Sequence, residues 1–216
     1  SKNRRRRNYR KSRLSGLAES LEPRQMMHGE GSLHADVSQP FVTTDGIDHD
    51  RNNFSLAAWV KTDSPMTEQN VVFNGEDIKL YVRDGVAKFK AETNSGRING
   101  SGGSIQPYNW HHLAMSVDRD GDALFYVDGQ VVDSDRGRDL DDRDSMQSSY
   151  VSIGSDRGMK PVQGYVDDVR IFDRAISQAD IQQIIGGDQV IGGERSQWTF
   201  ASAAAVGQDS QGQLFT

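Results

Sequence analysis

The stretch GYVDDVRIFDRAIS, Gly164 to Ser177, decides the fold, because it holds a strand, an aspartate pair and a helix start in one short run. Strand alternation puts Tyr165, Asp167, Val169 and Ile171 on one face and Val166, Asp168, Arg170 and Phe172 on the other. An aspartate among apolar neighbours is costly unless it is paired or metal-bound. Asp168 is therefore expected either to hold Arg170 or Arg174, or to bind a cation. Ser177 and Asp180 stand at N-cap and N3 spacing at the head of SQADIQQII, which predicts a short helix opened by a capping box with aspartate in place of glutamate.

Three upstream runs share the alternation: FSLAAWVK from Phe54, NWHHLAMSVD from Asn109 and LFYVDGQVV from Leu124. Each ends in polar or turn residues, as half-buried antiparallel strands do. VVFNG from Val71, DIKLYVRDG from Asp77 and VAKFKAET from Val86 predict further strands, with Arg83-Asp84-Gly85-Val86 as a hairpin turn. Gly121 and the pair Asp128-Gly129 supply the reversals of the next hairpin. Trp59 is expected to plug the core. His111 and His112 are adjacent in a strand and point to opposite faces, so they do not readily chelate one ion together. GRINGSGG, Gly96 to Gly103, lacks the lysine and following helix of a phosphate-cradling loop and is expected to be a mobile rim loop. DSDRGRDLDDRD, Asp133 to Asp144, lacks the ligand alternation and closing glutamate of an EF-hand, and is expected to be a solvated loop with internal ion pairs.

In this order and spacing the four runs resemble the laminin-G-like, concanavalin A-like lectin/glucanase superfamily, from roughly Gly31 to Ile185. The resemblance implies an all-β fold: an antiparallel jelly-roll β-sandwich of the concanavalin A-like type with one short C-terminal helix. YVSIGSD from Tyr150 is then the penultimate strand, with Gly154 in the family's Ile-Gly step. In some calcium-containing relatives the Asp-Asp step and the first hairpin's aspartate contribute ligands, which implies calcium at Asp36, Asp167 and Asp168. The first hairpin, GSLHADVSQPFVTTD, departs from the pattern, with Ala35 in place of an aromatic and Val37 in place of glycine. Members bind glycans or proteins through their loops, and Tyr108 and Tyr150 are the expected ligand contacts. The glucanase branch carries a Glu-x-Asp-x-Glu segment suited to two-carboxylate hydrolysis. This sequence has none, its seven glutamates are scattered, and it has neither cysteine nor a Gly-x-Ser-x-Gly elbow, so a non-enzymatic role is expected.

A length of 216 residues suits one sandwich with tails. Hydrophobic content of 35% and mean hydropathy of -0.69 are low, yet the apolar residues cluster in periodic runs between Leu33 and Ile185. The net charge of -6 is divided: Ser1 to Arg13 hold two lysines and six arginines, +8, which leaves -14 on the rest. The organisation expected is a basic arm and linker over residues 1–28, a sandwich over 29–187, and a linker with a C-terminal strand over 188–216. Arg4, Arg5, Arg6, Arg7, Arg10, Lys11 and Arg13 form the expected anchor for an anionic partner, nucleic acid or an acidic surface. The aspartate-rich body, with arginine far outnumbering lysine, resembles proteins from high-salt organisms, or alternatively an ordinary acidic secreted lectin.

The arm has no apolar core of a secretory signal, and no run approaches bilayer length, so no membrane span is expected. Either Ser1 follows a removed methionine, or a leader preceded the arm. SQWTFASAAAVGQDSQGQLFT from Ser196 resembles the opening of a laminin-G-like unit, and its Trp198 and Phe200 alternation predicts an ordered strand. That strand either closes its own sandwich, as in a circular permutation, or is donated to a neighbouring copy. A cationic arm on an acidic lectin-like head fits a virion structural or display protein, such as a turret, spike or capsid decoration. Its expected partners are other structural proteins, further copies of itself as a homo-oligomer, and a glycan. The alternative is an extracellular carbohydrate-binding adhesin, and a glycoside hydrolase is the remaining reading.

Overall fold

Fifteen short strands, one α-helix and a 3₁₀ turn make up the described part of the chain. In this computed structural model the described residues are 33–35, 42–44, 53–75, 77–94, 96–140, 150–187, 192–198, 207–208 and 214–215. Asp36, the arm cations Arg4 to Arg13, and the end of the acidic run from Asp141 to Asp144 lie outside them. The strands are β1 (Leu33–Ala35), β2 (Val42–Thr44), β3 (Phe54–Thr62), β4 (Gln69–Asn74), β5 (Ile78–Arg83), β6 (Val86–Glu92) and β7 (Arg97–Ser104). They continue as β8 (Trp110–Val117), β9 (Asp122–Val127), β10 (Gln130–Arg136), β11 (Val151–Ile153), β12 (Gly164–Phe172), β13 (Glu194–Trp198), β14 (Gly207–Gln208) and β15 (Leu214–Phe215). The helix α1 spans Gln178–Gly186, and Gly137–Asp139 form the 3₁₀ turn.

Two antiparallel sheets face each other. One runs β1-β12-β3-β8-β9-β10 with β13 beside β12, and the other runs β2-β11-β4-β5-β6-β7. Every second residue of β3, Phe54, Leu56, Ala58 and Val60, meets Leu80, Val82, Phe89 and Ile98 of the opposite sheet in a common buried cluster. Phe89 stacks on Phe125 across the gap at 5.1 Å. Each such side chain removed from water contributes roughly 1.5–3 kcal/mol. The expected turns form as the alternation requires: Asp84 and Gly85 take φ of 56° and 71°, and Asp128 and Gly129 take 51° and 75°, the two positive values of a type I′ turn.

A second, smaller core covers the outer face of the β3 sheet. Ala57, Ala114, Tyr126 and Phe172 lie under Ile176, Ile181 and Ile184 of α1 and its lead-in. The capping box forms as its spacing predicts: the Ser177 side chain accepts from the Asp180 N–H, and Asp180 accepts from the Ser177 N–H at 2.7 Å. The Gln178 and Gln182 amides both donate to the Gly129 carbonyl, at 2.9 and 3.2 Å, and pin the helix to the β9–β10 turn.

Four expectations need correction. Trp59 does not plug the core: Phe54, Leu56, Ala58 and Val60 take the inner face, so Trp59 falls on the outer one, half-buried, with its ring edge-to-face on His112 at 5.3 Å. The face assignment of β12 holds only up to Asp167. Asp167 opposes Trp59 and Arg170 opposes Ala57, so Asp168 and Val169 together face a single residue of β3. This bulge reverses the parity, and Val166, Val169 and Ile171 all enter the inner core.

GRINGSGG is not a mobile loop but strand β7, paired along β6. A Cβ on Gly100 would sit 2.2 Å from the Phe125 ring, so the glycines let this edge strand lie directly on β9. The start of the acidic run is likewise ordered as β10. There the Asp133 and Asp135 carboxylates accept from the backbone N–H groups of Ser101 and Asn99, at 2.9 and 3.1 Å, and so cap donors of the β7 edge. The C-terminal segment contributes an ordered strand next to β12. β13 pairs with β12 of the same chain, Val169 opposite Trp198 and Phe172 opposite Glu194.

Candidate functional site

Three connections meet at one end of the sandwich and enclose a cleft of about 750 Å³. The β3–β4 loop brings Asp63, Pro65 and Met66; the β5–β6 turn brings Asp84, Gly85 and the adjoining Val86; the end of β7 and the β7–β8 loop bring Gly102 to Pro107. Pro65 and Ser64 break β3 after Thr62, and the Ser64 N–H turns back onto the Thr62 hydroxyl at 3.2 Å. Gly103 has a φ of 68°, and a Cβ there would lie 2.6 Å from Val127, so only glycine lets β7 close the wall at this point.

Backbone hydrogen bonds tie the three connections to one another. Asp84 and Gly85 donate to the Met66 and Pro65 carbonyls at 3.2 and 2.9 Å, Ile105 donates to Gly85 at 2.9 Å, and Tyr108 donates to Thr62 at 2.9 Å. Buried Gln69 adds a clasp beneath. Its Oε1 accepts from the Thr62 hydroxyl at 2.7 Å and the Gln163 N–H at 2.9 Å, while its amide donates to the Ser64 carbonyl. A cleft held this way is formed before any ligand arrives, which lowers the ordering cost of binding.

His111 holds the last wall. Gln106 donates its N–H to Nε2 at 3.0 Å, and Nδ1 lies 2.9 Å from Asp128 Oδ2. Because the backbone N–H can only donate, the network assigns the proton to Nδ1, facing the carboxylate. Burial alone would raise Asp128, but the hydrogen bonds from His111 and from the His112 backbone outweigh it and hold that carboxyl below its usual range. The two histidines point to opposite faces, as their adjacency requires. His112 is fully buried on the outer face with its neutral form favoured: burial, partly opposed by Asp168 and Asp128, lowers its pKa to about 4.

The structure separates the two tyrosines. Tyr108 follows the lining residue Pro107, is 65% exposed and takes φ of 65°, a left-handed conformation rare for a bulky side chain. Such strain persists where surrounding contacts impose it, and it clusters at ligand sites. Tyr150 is not brought to the cleft: it stacks on Phe73 at 6.2 Å, and the Arg157 guanidinium lies 4.8 Å from its ring centre. Met66, 63% exposed, supplies the second apolar group of the rim.

Charge around the cleft is also ordered. Glu68 draws Lys160, Lys79 and Arg83 to 2.8, 3.3 and 3.7 Å, and Arg83 also reaches Asp84 at 3.3 Å. Burial would raise Glu68, but the hydrogen bonds and charges of Lys160 and Lys79 dominate and hold it low.

Of the aspartates expected to bind calcium, Asp36 lies outside the described residues, while Asp167 and Asp168 each accept a hydrogen bond within β12. Asp168 takes φ of 43° and, fully buried, accepts Arg170 Nε at 2.8 Å and Nη2 at 2.9 Å, the ion-pair alternative of its two expected roles. Asp167 Oδ1 accepts the Asp168 N–H at 2.7 Å. Both Asp168 oxygens are thus taken by the Arg170 guanidinium. Among the described residues no group of three His, Cys, Asp or Glu side chains is placed to hold a metal ion.

The sequence signals for the cleft were present but scattered: a proline break after β3, an Asp-Gly turn, and a glycine run. Only the sheet order brings these three together. Among the described residues, no helix is long and apolar enough to cross a membrane.

Residues 36–182 match the family described as the concanavalin A-like lectin/glucanases superfamily. Solved structures share the fold at low identity. The receptor binding domain of botulinum neurotoxin C/D mosaic serotype is 17% identical with a TM-score of 0.54, over 65% of this chain and 37% of that one. A candidate carbohydrate-binding protein from Bacteroides ovatus is 16% identical with a TM-score of 0.63, over 86% of this chain and 56% of that one. The botulinum neurotoxin serotype G binding domain is 15% identical with a TM-score of 0.54, over 78% and 50%. The match thus spans about a third to a little over half of those chains. No curated protein matches the sequence.

Proposed function

Because this chain belongs to the concanavalin A-like lectin/glucanases superfamily, we propose that it is a non-enzymatic binding module whose cleft between the β3–β4, β5–β6 and β7–β8 connections seats a glycan. The observation that carries this reading is the prebuilt cleft, with exposed Tyr108 held in a strained conformation directly after the lining residue Pro107. A sugar presents C–H faces and hydroxyls. Tyr108 and Met66 meet the first, and Asp63, Ser104 and Gln106 offer hydrogen bonds to the second. The fold neighbours described as a receptor binding domain and a carbohydrate-binding protein point the same way. The sequence lacks the Glu-x-Asp-x-Glu segment of the glucanase branch, which supports binding without hydrolysis.

On a glycan array at neutral pH, the full chain is expected to retain a subset of glycans. Tyr108→Ala is expected to weaken them by about two- to tenfold, since stacking on an aromatic face is worth about 0.5–1.5 kcal/mol. Equal binding by Tyr108→Ala would defeat the site assignment.

The finer reading is a display component of a particle, a turret, spike or capsid decoration, with the arm as its anchor. Eight cations among residues 1–13 against an acidic body divide the chain into a phosphate-seeking end and a hydrated head. Nucleic acid binding that falls steeply with salt and vanishes on deletion of residues 1–13 is the expected result. Salt-insensitive or arm-independent binding would favour the second reading, an extracellular adhesin.

A further inference from the structure

The cleft's charge is as informative as its shape. Its lining carries two carboxylates, Asp63 and Asp84, and no lysine, arginine or histidine among the described residues. The cations beside the lining are engaged: Lys61 lies over the Tyr165 ring, 5.4 Å from its centre, and Lys88 donates to the Ser101 hydroxyl at 2.7 Å. Lys79 and Lys160 close on Glu68, and Arg83 is shared between Glu68 and Asp84. Asp63 is exposed and makes no ion pair among the described residues, and its own N–H is anchored to the Gln163 carbonyl at 2.7 Å. The backbone under this carboxylate is thus fixed where the residue lines the cleft.

From this we infer that the cleft selects uncharged or amine-bearing sugars and rejects anionic ones, with Asp63 as the specificity-determining residue. The inference rests on the glycan reading above. A hydroxyl donates to the carboxylate oxygens, and a sugar ammonium adds charge attraction. A sialyl carboxylate or a sulfate brings a like charge against Asp63 with no cation on the lining to receive it. Specificity of this kind comes from the repulsive element as much as the attractive one. A single unit charge a few ångströms away in a partly solvated cleft is enough for at least about tenfold discrimination.

The test uses the full chain in 0.15 M salt at about pH 6, where chitosan amines and Asp63 are both charged, titrated calorimetrically with two matched pairs of probes: an N-acetyllactosamine-terminated oligosaccharide beside its sialylated form, and a chitosan oligosaccharide beside its N-acetylated chitin counterpart. Expected are binding of the neutral probe, at least about tenfold weaker binding of the sialylated form, and tighter binding of chitosan than of chitin. Asp63→Asn is expected to erase most of both differences, read as the ratio of affinities within each matched pair, whatever it does to the absolute affinity of either member. Sialylated binding equal to or tighter than neutral binding, or differences untouched by Asp63→Asn, would overturn the inference and leave the glycan reading standing. Failure of every probe, together with an empty glycan array, would remove both.

Discussion

Replacing Arg170 with methionine is expected to cost about 3–5 kcal/mol, because it removes the guanidinium from a carboxylate that is sealed from solvent. Arg170 and Asp168 are both 0% exposed and joined by two hydrogen bonds, at 2.8 and 2.9 Å. For a chain of this size the loss corresponds to a fall in Tm of about 10 °C. Asp168→Gly, which accommodates the left-handed φ of 43° without strain, is expected to destabilise to a similar degree by stranding Arg170. The double variant should cost clearly less than the sum, since pairwise coupling of about 0.5–3 kcal/mol is what a shared ion pair produces in a double-mutant cycle. Calorimetric melts of the four proteins decide the matter. Additive losses would mean that the pair is incidental to the bulge, and a melt sensitive to calcium chelation would restore the metal alternative at Asp167 and Asp168.

Stability is expected to fall by about 3 kcal/mol as pH drops from 6.5 to 4, through His112 alone. Its pKa is about 4 in the fold, lowered chiefly by burial from the ordinary 6.5. Between those values the unfolded chain binds the extra proton and the folded one does not. The stability is complete above the unfolded value, is lost as pH falls toward the folded value, and loses nothing more to this group below it. Among the described residues neither ring nitrogen of His112 has a hydrogen-bond partner, and the ring packs edge-on against Trp59. His112→Phe should therefore be tolerated and should flatten the slope in this window. Asp180 does not interfere. The Arg174 hydrogen bond is the main reason its pKa is about 2, so its contribution disappears only below the ordinary carboxylate value of 3.8. Urea melts at half-unit pH steps read both curves, and an unchanged slope in His112→Phe would place the titration elsewhere.

Much of this architecture is legible residue by residue. Period-two runs located β3, β5, β6 and β8 nearly to their ends, Asp-Gly pairs marked the hairpins, and Ser177 with Asp180 marked the start of α1. What escaped is non-local. Nothing in VDDVR announces that Asp168 leaves the pleat, yet that one step swaps the faces of everything after it. Trp59 reads as core because of its size, but register with Ala57 and Phe54 decides its face. GRINGSGG reads as flexible by composition, whereas its glycines are there because Phe125 and Val127 leave no room for side chains. The cleft was half visible. Tyr108 was legible as an exposed aromatic, but the lining residues Asp63, Met66 and Gly85 come from turns that only the folded sheets bring to one end.

The central claim is that ligand enters at this end. Backbone amide shifts of the uniformly ¹⁵N-labelled full chain, followed while a neutral glycan retained on the array is added, test it most directly. The largest changes are predicted at Gly85, Gly103, Ser104, Gln106 and Tyr108. Saturable shifts gathered instead around Tyr150 and Arg157, or on the Trp59 face, with the cleft amides unmoved, would contradict it.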